Sequence, residues 1–432
     1  MSAVEARKVR KYHLTLIGVA VLILLLSLVR VISGKVDITS SGTFQAALVL
    51  AVPIGLAGLG GLWAERAGVV NIGLEGMMVL GTWFAGWAGY QWGWPAALLA
   101  GLAAGAVGGL LHAIATVGFG VDHIISGVAI NLLGPGITRF LSEVLYAEGT
   151  AAAAAGAGIT TSPALSSEPP EVSLPLLSSG PDWLGALENT HWFLISDIAG
   201  ILRGLTHDVG LLVIVAVALI PLTYLVLWHT AFGLRLRSAG ENPWAAESLG
   251  VNVYRTKYVA TVISGAMAGL GGVFLVFFTS KYVEGQTQGR GFIGLAAMIF
   301  GNWRPGGLAA GASLFGYANG LQLRSSAAVT GFFLFGAILL FIYVAYRIRQ
   351  LFLTGRETPA AAVAGAKDYT LMAFAAGGAV VLIWLWITVD RLPNEFVFIT
   401  PHVLTLLVLL VASQRLRMPK ADGVRYRRGE QH

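Results

Sequence analysis

Glu65, Arg66, Asn71 and Glu75 fall within eleven residues of one another, in "ERAGVVNIGLEGMMVLG" (65–81), in a chain that is otherwise strongly apolar. The chemistry open to two carboxyls, a guanidinium and an amide in such surroundings is narrow. They can pair, cap a helix end, line a polar path or exchange a proton. Asn71 and Glu75 are four residues apart, so on a continuous helix they share a face. An ionisable side chain inside an apolar span is costly and faces a cavity or a partner. Glu75 therefore pairs with Arg66 or caps a half-helix near the inner surface, borders a solute path, or serves as a protonatable coupling site. Bond-making chemistry finds no support. His13, His112, His123, His191, His207, His229 and His402 are scattered. His112, well inside a span, has no carboxylate or second histidine within a turn or two and reads as a packing residue. The absence of cysteine excludes disulfides and thiolate metal sites. No G-x-x-x-x-G-K-[ST] loop occurs, so the chain has no ATP site of its own. No catalytic residue, metal ligand or cofactor is expected.

The elements around these residues follow from composition. The 432 residues are 56% hydrophobic and 12% charged, against about 25% charged in soluble domains, and the mean hydropathy is +0.74. Several runs reach the ~20 apolar residues that span a bilayer as helix. The expected fold class is an all-α polytopic membrane protein of about 10–12 transmembrane helices. Spans are expected near 14–32, 44–63, 69–90, 94–117, 121–146, 209–228, 257–279, 290–303, 306–322, 327–346, 371–389 and 396–413, the two around 290–322 being short. The first follows "RKVRK" as a signal peptide would, but its apolar run is long and no A-x-A-like site follows it, so it reads as an uncleaved helix. Lys and Arg mark cytoplasmic loops. They crowd both termini and the loop 229–257, which places all three inside. Residues 147–208 carry seven acidic residues and one basic residue, Arg203, and belong outside. The Ala-, Ser- and Pro-rich first half of that segment is expected to be partly disordered, and "DWLGALENTHWFLISDIAGIL" to lie on the membrane surface. The net charge of +6 sits at membrane faces; no nucleic acid is expected as a partner. Asp122 reads as a helix N-terminal charge.

Glycines mark helix contacts. Gly101, Gly105 and Gly109 are spaced by four, as are Gly265 and Gly269, Gly307 and Gly311, and Gly316 and Gly320; small residues at this interval let backbones approach closely in lipid. "AGLGG" occurs at 57–61 and 268–272, followed by "IGLEGMMVLG" (72–81) and "IGLAAMIFG" (293–301) respectively. The charges give the two copies opposite directions across the membrane, as an inverted repeat would, and inverted repeats place a transport path at their interface. Glu75 of the first copy corresponds to Ala296 of the second.

"FGLRLRSAGENPWAAESLGVNVYRTKY" (232–258) holds a short helix of its own: Asn242 as N-cap, Pro243 at the first helical position, Gly250 just past the end. Two turns are not stable alone in water, so this helix docks on its own protein or on a partner. "GLRLRSAGENPWAAESLGVNV" resembles the cytoplasmic coupling loop of permease subunits from bacterial ABC importers. "GLWAERAGVVNIGLEGMMVLG", "VDHIISGVAINLL" and "GRGFIGLAAMIFGNWRPGG" resemble the nucleoside branch of the permease group that also takes ribose-type sugars and branched-chain amino acids, with a type II importer-like fold.

The resemblance implies a second permease subunit forming a heterodimer, a cytoplasmic ABC ATPase, an extracytoplasmic binding lipoprotein and a small-molecule substrate, all at a lipid membrane. It also implies a multi-pass protein of the bacterial cell (inner or plasma) membrane with both termini cytoplasmic, and it assigns ATPase coupling to Gly240, Glu241, Asn242, Pro243, Ala245, Ala246 and Gly250. The expected organisation is an N-terminal tail and first helix (1–43), a permease core (44–350) with the outer insert 147–208 and the coupling loop 229–257, and additional C-terminal helices with a basic tail (351–432).

Asn71, Glu75 and Asn131 are the expected substrate-path residues. A nucleoside base would call on Trp83, Trp87 and Tyr90, although aromatics near span ends are also interfacial anchors. A ribose-type sugar is the alternative cargo. An ion-coupled secondary transporter is the alternative class, and it leaves the capped, basic-flanked loop helix unexplained. An enzyme acting on lipid would need a cluster of Asp, Glu or His at one membrane face.

Overall fold

A bilayer offers no partner to backbone N–H and C=O groups, so apolar runs satisfy them internally as helices. The computed structural model describes residues 3–146, 160–172, 182–325, 327–353, 359–389 and 416–429. The long helices are α1 (Ala3–Ser33), α2 (Ser41–Arg66), α3 (Leu74–Trp92), α4 (Trp94–Ala113, extended by a π-turn to Gly118) and α5 (His123–Leu145). Two short helices follow, α6 (Trp183–Glu188) and α7 (Ile195–Thr206), then α8 (Leu211–His229), α9 (Ala231–Glu241), α10 (Pro243–Ser248) and α11 (Val253–Thr279). The chain continues through α12 (Arg290–Phe300), α13 (Pro305–Arg324), α14 (Gly331–Leu353) and α15 (Pro359–Thr388).

Eight of the described helices, α1, α2, α4, α5, α8, α11, α14 and α15, are long and apolar enough to cross a membrane. The sequence marks 290–303 as a span, but α12 has only 11 residues. That is about 16 Å at 1.5 Å per residue, about half of the ~30 Å hydrocarbon core. It ends because Gly301–Arg304 turns the chain back into α13. The expected span 396–413 and the stretch 150–158 lie outside the described residues.

The chain divides into two units. The larger comprises Ala47–Ser173, Asp208–Tyr317 and the C-terminal stretch, of which 416–429 is described. Its centre is α3, α4 and α11, held by glycines. A Cβ added to Gly105 would collide with the Gly265 carbonyl, and one on Gly265 with the Gly105 carbonyl; one on Gly269 would collide with the Gly101 carbonyl. The two copies of the internal echo pack reciprocally. A Cβ on Gly58 of α2 would strike the Gly294 carbonyl of α12, and one on Gly272 of α11 would strike the Met78 carbonyl of α3. The described start of the 147–208 insert is laced to one end of this core: Ser162 N donates to Tyr282 O (3.0 Å), Leu165 N to Ser280 O (2.9 Å) and Ser166 N to Gly89 O (3.2 Å). The α9–α10 loop lies at the other end of α11, whose 27 residues measure about 40 Å.

The second unit comprises Met1–Ala46, Leu174–His207 and Ala318–Thr400. Within it α7 turns a small, polar face inward, Ser196, Asp197, Ala199, Gly200 and Gly204, and leaves Ile195, Ile198, Leu202 and Leu205 exposed. Asp197 is fully buried and pairs with Arg30 at 2.6 Å. Glu188 accepts from Ser41 N at the start of α2 (2.8 Å).

Candidate translocation core and coupling surface

α2 stops at Arg66 and α3 begins at Leu74. Gly68, at φ +81°, turns the chain, and the residues between are not helical. Asn71 therefore precedes α3 instead of sharing its face with Glu75; the unbroken apolar run hid the break. Open backbone at membrane depth requires partners, and side chains supply them. Asn71 Oδ1 accepts from Gly73 N (3.0 Å) while its amide donates to Ser264 Oγ of α11 (2.8 Å). Asn131 of α5 accepts from Gly76 N (2.8 Å) and donates to Ile72 O (3.0 Å). Val70 N donates to His123 Nδ1 (3.1 Å), and His112 Nε2 lies 3.0 Å from Val70 O. Two of the three expected path residues, Asn71 and Asn131, thus meet at the α2–α3 break, and Asn71 is fully buried there. His112, His123 and Ser264 belong to the same network. Sequence reasoning missed their role, because their spacing carries no motif.

Glu75 reaches a different target. Its two carboxyl oxygens accept from Gly289 N (2.9 Å) and Gly291 N (2.7 Å). These amides open α12, where a half-helix would otherwise leave N–H groups unpaired, and a carboxylate there meets the positive end of the helix dipole. Gly291 is small because the Glu75 backbone lies against it. The possible partner Arg66 is engaged elsewhere.

Arg66 donates through Nε (3.0 Å) and Nη2 (2.6 Å) to Trp303 O, and Trp303 Nε1 donates to Glu65 Oε2 (2.5 Å). Asn302 and Trp303 both have positive φ, 53° and 52°, a conformation that costs of order 1–3 kcal/mol per non-glycine residue and persists only when the surroundings hold it. Glu65 and Arg66 are that hold: they clamp the turn between α12 and α13. "GNWRPGG" carried part of the family resemblance, but nothing in it named this partner.

The α9–α10 loop docks on the same junction. Asn242 caps α10 by accepting from Ala245 N (3.0 Å), Pro243 takes the first helical position, and Gly250 closes it at φ +82°. Gly240 packs on the Arg66 carbonyl and Gly68 N so closely that a Cβ would collide. Lys257 donates to Gly68 O (3.2 Å). Arg66 and Arg237 both stack on Trp228, at 5.3 and 5.5 Å from the ring centre. The two alanines of α10 divide. Ala246 is buried against Ala239, Val253 and Tyr426, whereas Ala245 is exposed and Leu249 projects at 85% exposure. Glu241 is exposed beside them.

The aromatic residues suited to a base lie near the insert. Trp83 is buried, stacked on Trp87 at 6.4 Å, with its N–H on Ser142 Oγ (2.8 Å). Trp87 and Tyr90 are half-buried beside it.

A family model described as branched-chain amino acid transport system / permease component matches residues 43–343. The guanosine ABC transporter permease protein NupQ of Bacillus subtilis is 32% identical over 393 residues, covering 89% of this chain and 96% of that protein. The nucleoside ABC transporter permease protein NupC of Lactococcus lactis is 31% identical over 388 residues, 88% and 94% of the two chains. A putative glucose ABC transporter permease, TsgC13 of Haloferax volcanii, is 33% identical over 292 residues, 66% and 77%. The same two bacteria each hold a second match, the permeases NupP (28%) and NupB (23%). No solved structure matches the chain.

Proposed function

The chain belongs to the permease family of the branched-chain amino acid transport system, and from that premise we propose that its cargo is a nucleoside. It is a multi-pass membrane protein and the permease subunit of an ABC importer, and as such makes and breaks no bond in its substrate. The nucleoside assignment rests on the two relatives, named for guanosine and nucleoside transport, that match nearly end to end. The second permease found in each of those organisms supports a heterodimer here. A cytoplasmic ATPase would supply the energy, and a binding lipoprotein would deliver the substrate from outside.

The observation that carries the mechanism is the unbroken route from α10 to the centre of the core. α10 is joined through α9 to Gly240, Gly240 lies on Arg66 and Gly68, Arg66 and Glu65 grip the α12–α13 turn, and Asn71 and Glu75 continue from the same break into α11, α3 and the head of α12. A push on α10 displaces both halves of the internal echo together. Closure of the ATPase would deliver that push. The polar seam formed by Asn71, Glu75 and Asn131 would then border the path in the state where α12 swings away; in the present arrangement all three are hydrogen-bonded. The coupling loop and the described start of the insert lie at opposite ends of α11, which supports an inner coupling loop, an outer insert and, with the tail beside α10, a cytoplasmic C-terminus.

A simple sugar is the second reading, and the glucose permease relative favours it. The experiment that separates the two is uptake of labelled guanosine by cells expressing the whole importer, challenged with unlabelled nucleosides, free bases, ribose and glucose. Competition by nucleosides alone supports the proposal; competition by ribose or glucose alone refutes it.

A further inference from the structure

Residues 416–429 return to the inner junction after the last described helix and touch α9, α10, the start of α11 and the α12–α13 turn. Arg417 N donates to Asn302 Oδ1 in the α12–α13 turn (2.7 Å). Ala421 N donates to Gly240 O at the end of α9 (2.9 Å). Asp422 is buried against the Glu65 carboxyl at the end of α2, with Lys257 nearby. Tyr426, 8% exposed, packs its ring on Trp244 (6.0 Å) and Tyr254 (5.3 Å) and touches the buried face of Ala246. Arg428 pairs with Glu247 of α10 at 2.9 Å.

A six-residue helix does not hold itself in water. α10 buries only Pro243 and Ala246 fully, and Tyr426 forms part of the wall against which Ala246 rests. The Arg428 guanidinium is 82% exposed, so that ion pair adds little; the ring of Tyr426 and the two backbone donors, Arg417 N and Ala421 N, are the main attachments. We propose that residues 417–428 are a positioning strap, which binds α10 to the inner ends of α2 and α9 and to the α12–α13 turn so that all of them move as one body when the ATPase engages. This rests on the reading of α10 as the ATPase-coupling helix. The strap stays attached through the cycle: it transmits motion and does not gate it. Tyr426 and Asp422 are its positioning residues.

The test uses the full importer with its partner permease, ATPase and binding protein in proteoliposomes. Tyr426→Ala is expected to lower the maximal uptake and ATPase rates per assembled complex at least tenfold, with the half-saturating concentration of liganded binding protein unchanged. Tyr426→Phe, which keeps the ring, is expected to work normally. Full activity per complex in Tyr426→Ala overturns the proposal. Should Tyr426→Ala fail to insert, Glu247→Cys with Arg428→Cys decides, since the chain has no other cysteine. Joining the two with a short bifunctional thiol reagent should leave uptake intact; a block on joining means that the tail must leave α10, and refutes the strap. A parallel variant, Ala245→Glu with Leu249→Glu, separates the two readings. If it transports normally, α10 is not the coupling helix. If it is dead while Tyr426→Ala is normal, only the strap fails.

Discussion

Replacing Glu75 by Gln tests whether the carboxylate sets the position of α12. The carboxylate accepts from Gly289 N and Gly291 N at 2.9 and 2.7 Å. Hydrogen bonds to a charged group contribute about 1.5–3 kcal/mol each, and a buried N–H left without a partner costs about 1–3 kcal/mol. A glutamine keeps one acceptor oxygen and turns its own NH2 toward the second amide, so one bond is lost and one donor is orphaned. Loss of the charge at the helix N-terminus adds about 0.3–2 kcal/mol. Part of this relaxes, which leaves about 2–5 kcal/mol against the docked position of α12. At 1.4 kcal/mol per factor of ten, the docked state becomes about thirty- to several-thousand-fold less favoured. The assays are the amount of inserted protein, its thermal denaturation in detergent, uptake in the assembled importer, and thiol labelling of a cysteine at the exposed Gln288. A cap alone predicts lower stability with uptake falling in proportion. A seam that also borders the path predicts faster labelling at position 288 and uptake per inserted protein lost or altered in its substrate preference. Wild-type values for all four would refute the assignment of Glu75 to either task.

Three further outcomes follow from the same geometry. Gly265→Leu should abolish folded protein, because its side chain would occupy the place of the Gly105 carbonyl, whereas Gly18→Leu, with open space around it, should leave levels unchanged on an immunoblot of membranes. A cysteine at the exposed Ser167 should label with an impermeant thiol reagent in whole cells; labelling only after lysis would reverse the topology. Asp422 retains its proton up to about pH 9 in the docked tail, because burial and the neighbouring Glu65 carboxyl outweigh Lys257, against 3.8 for a free aspartate. Its contribution to docking is therefore complete below pH 3.8 and is lost as the pH rises toward 9. Trypsin cleavage in the tail of inside-out vesicles should thus quicken between about pH 7 and 9, and Asp422→Asn should flatten that dependence.

Local features were legible in the sequence. Eight apolar runs of bilayer length among the described residues became helices, the glycines at 101–109 and 265–269 became the α4–α11 contact, and Asn242, Pro243 and Gly250 bound α10 as their types suggest. Asp122 caps α5 by accepting from Ile124 N and Ile125 N. Each of these signals acts within a few residues, so type and spacing are sufficient. The site was less legible because its partners are distant and often backbone. Glu75 is bound to two glycine amides more than 200 positions away, and a backbone amide leaves no trace in composition. Glu65 and Arg66 hold a turn around Trp303, and Asp422 returns to Glu65 from the far end of the chain. The break at 67–73 was hidden because its residues are as apolar as the helices they separate; only Gly68 and Asn71 mark it, and glycine is common within membrane helices. The six residues of α10 could be read as a helix, but not which alanine would face the protein and which the solvent.

Vanadate-sensitive uptake in proteoliposomes tests most directly the claim that energy enters through a separate ATPase acting on this chain. The liposomes hold the permease with its partner permease and ATPase, ATP inside, and the liganded binding protein outside. The account predicts labelled nucleoside uptake that requires ATP hydrolysis, stops with vanadate and is indifferent to an uncoupler. Uptake that persists without ATP, survives vanadate and collapses with the ion gradient would contradict it.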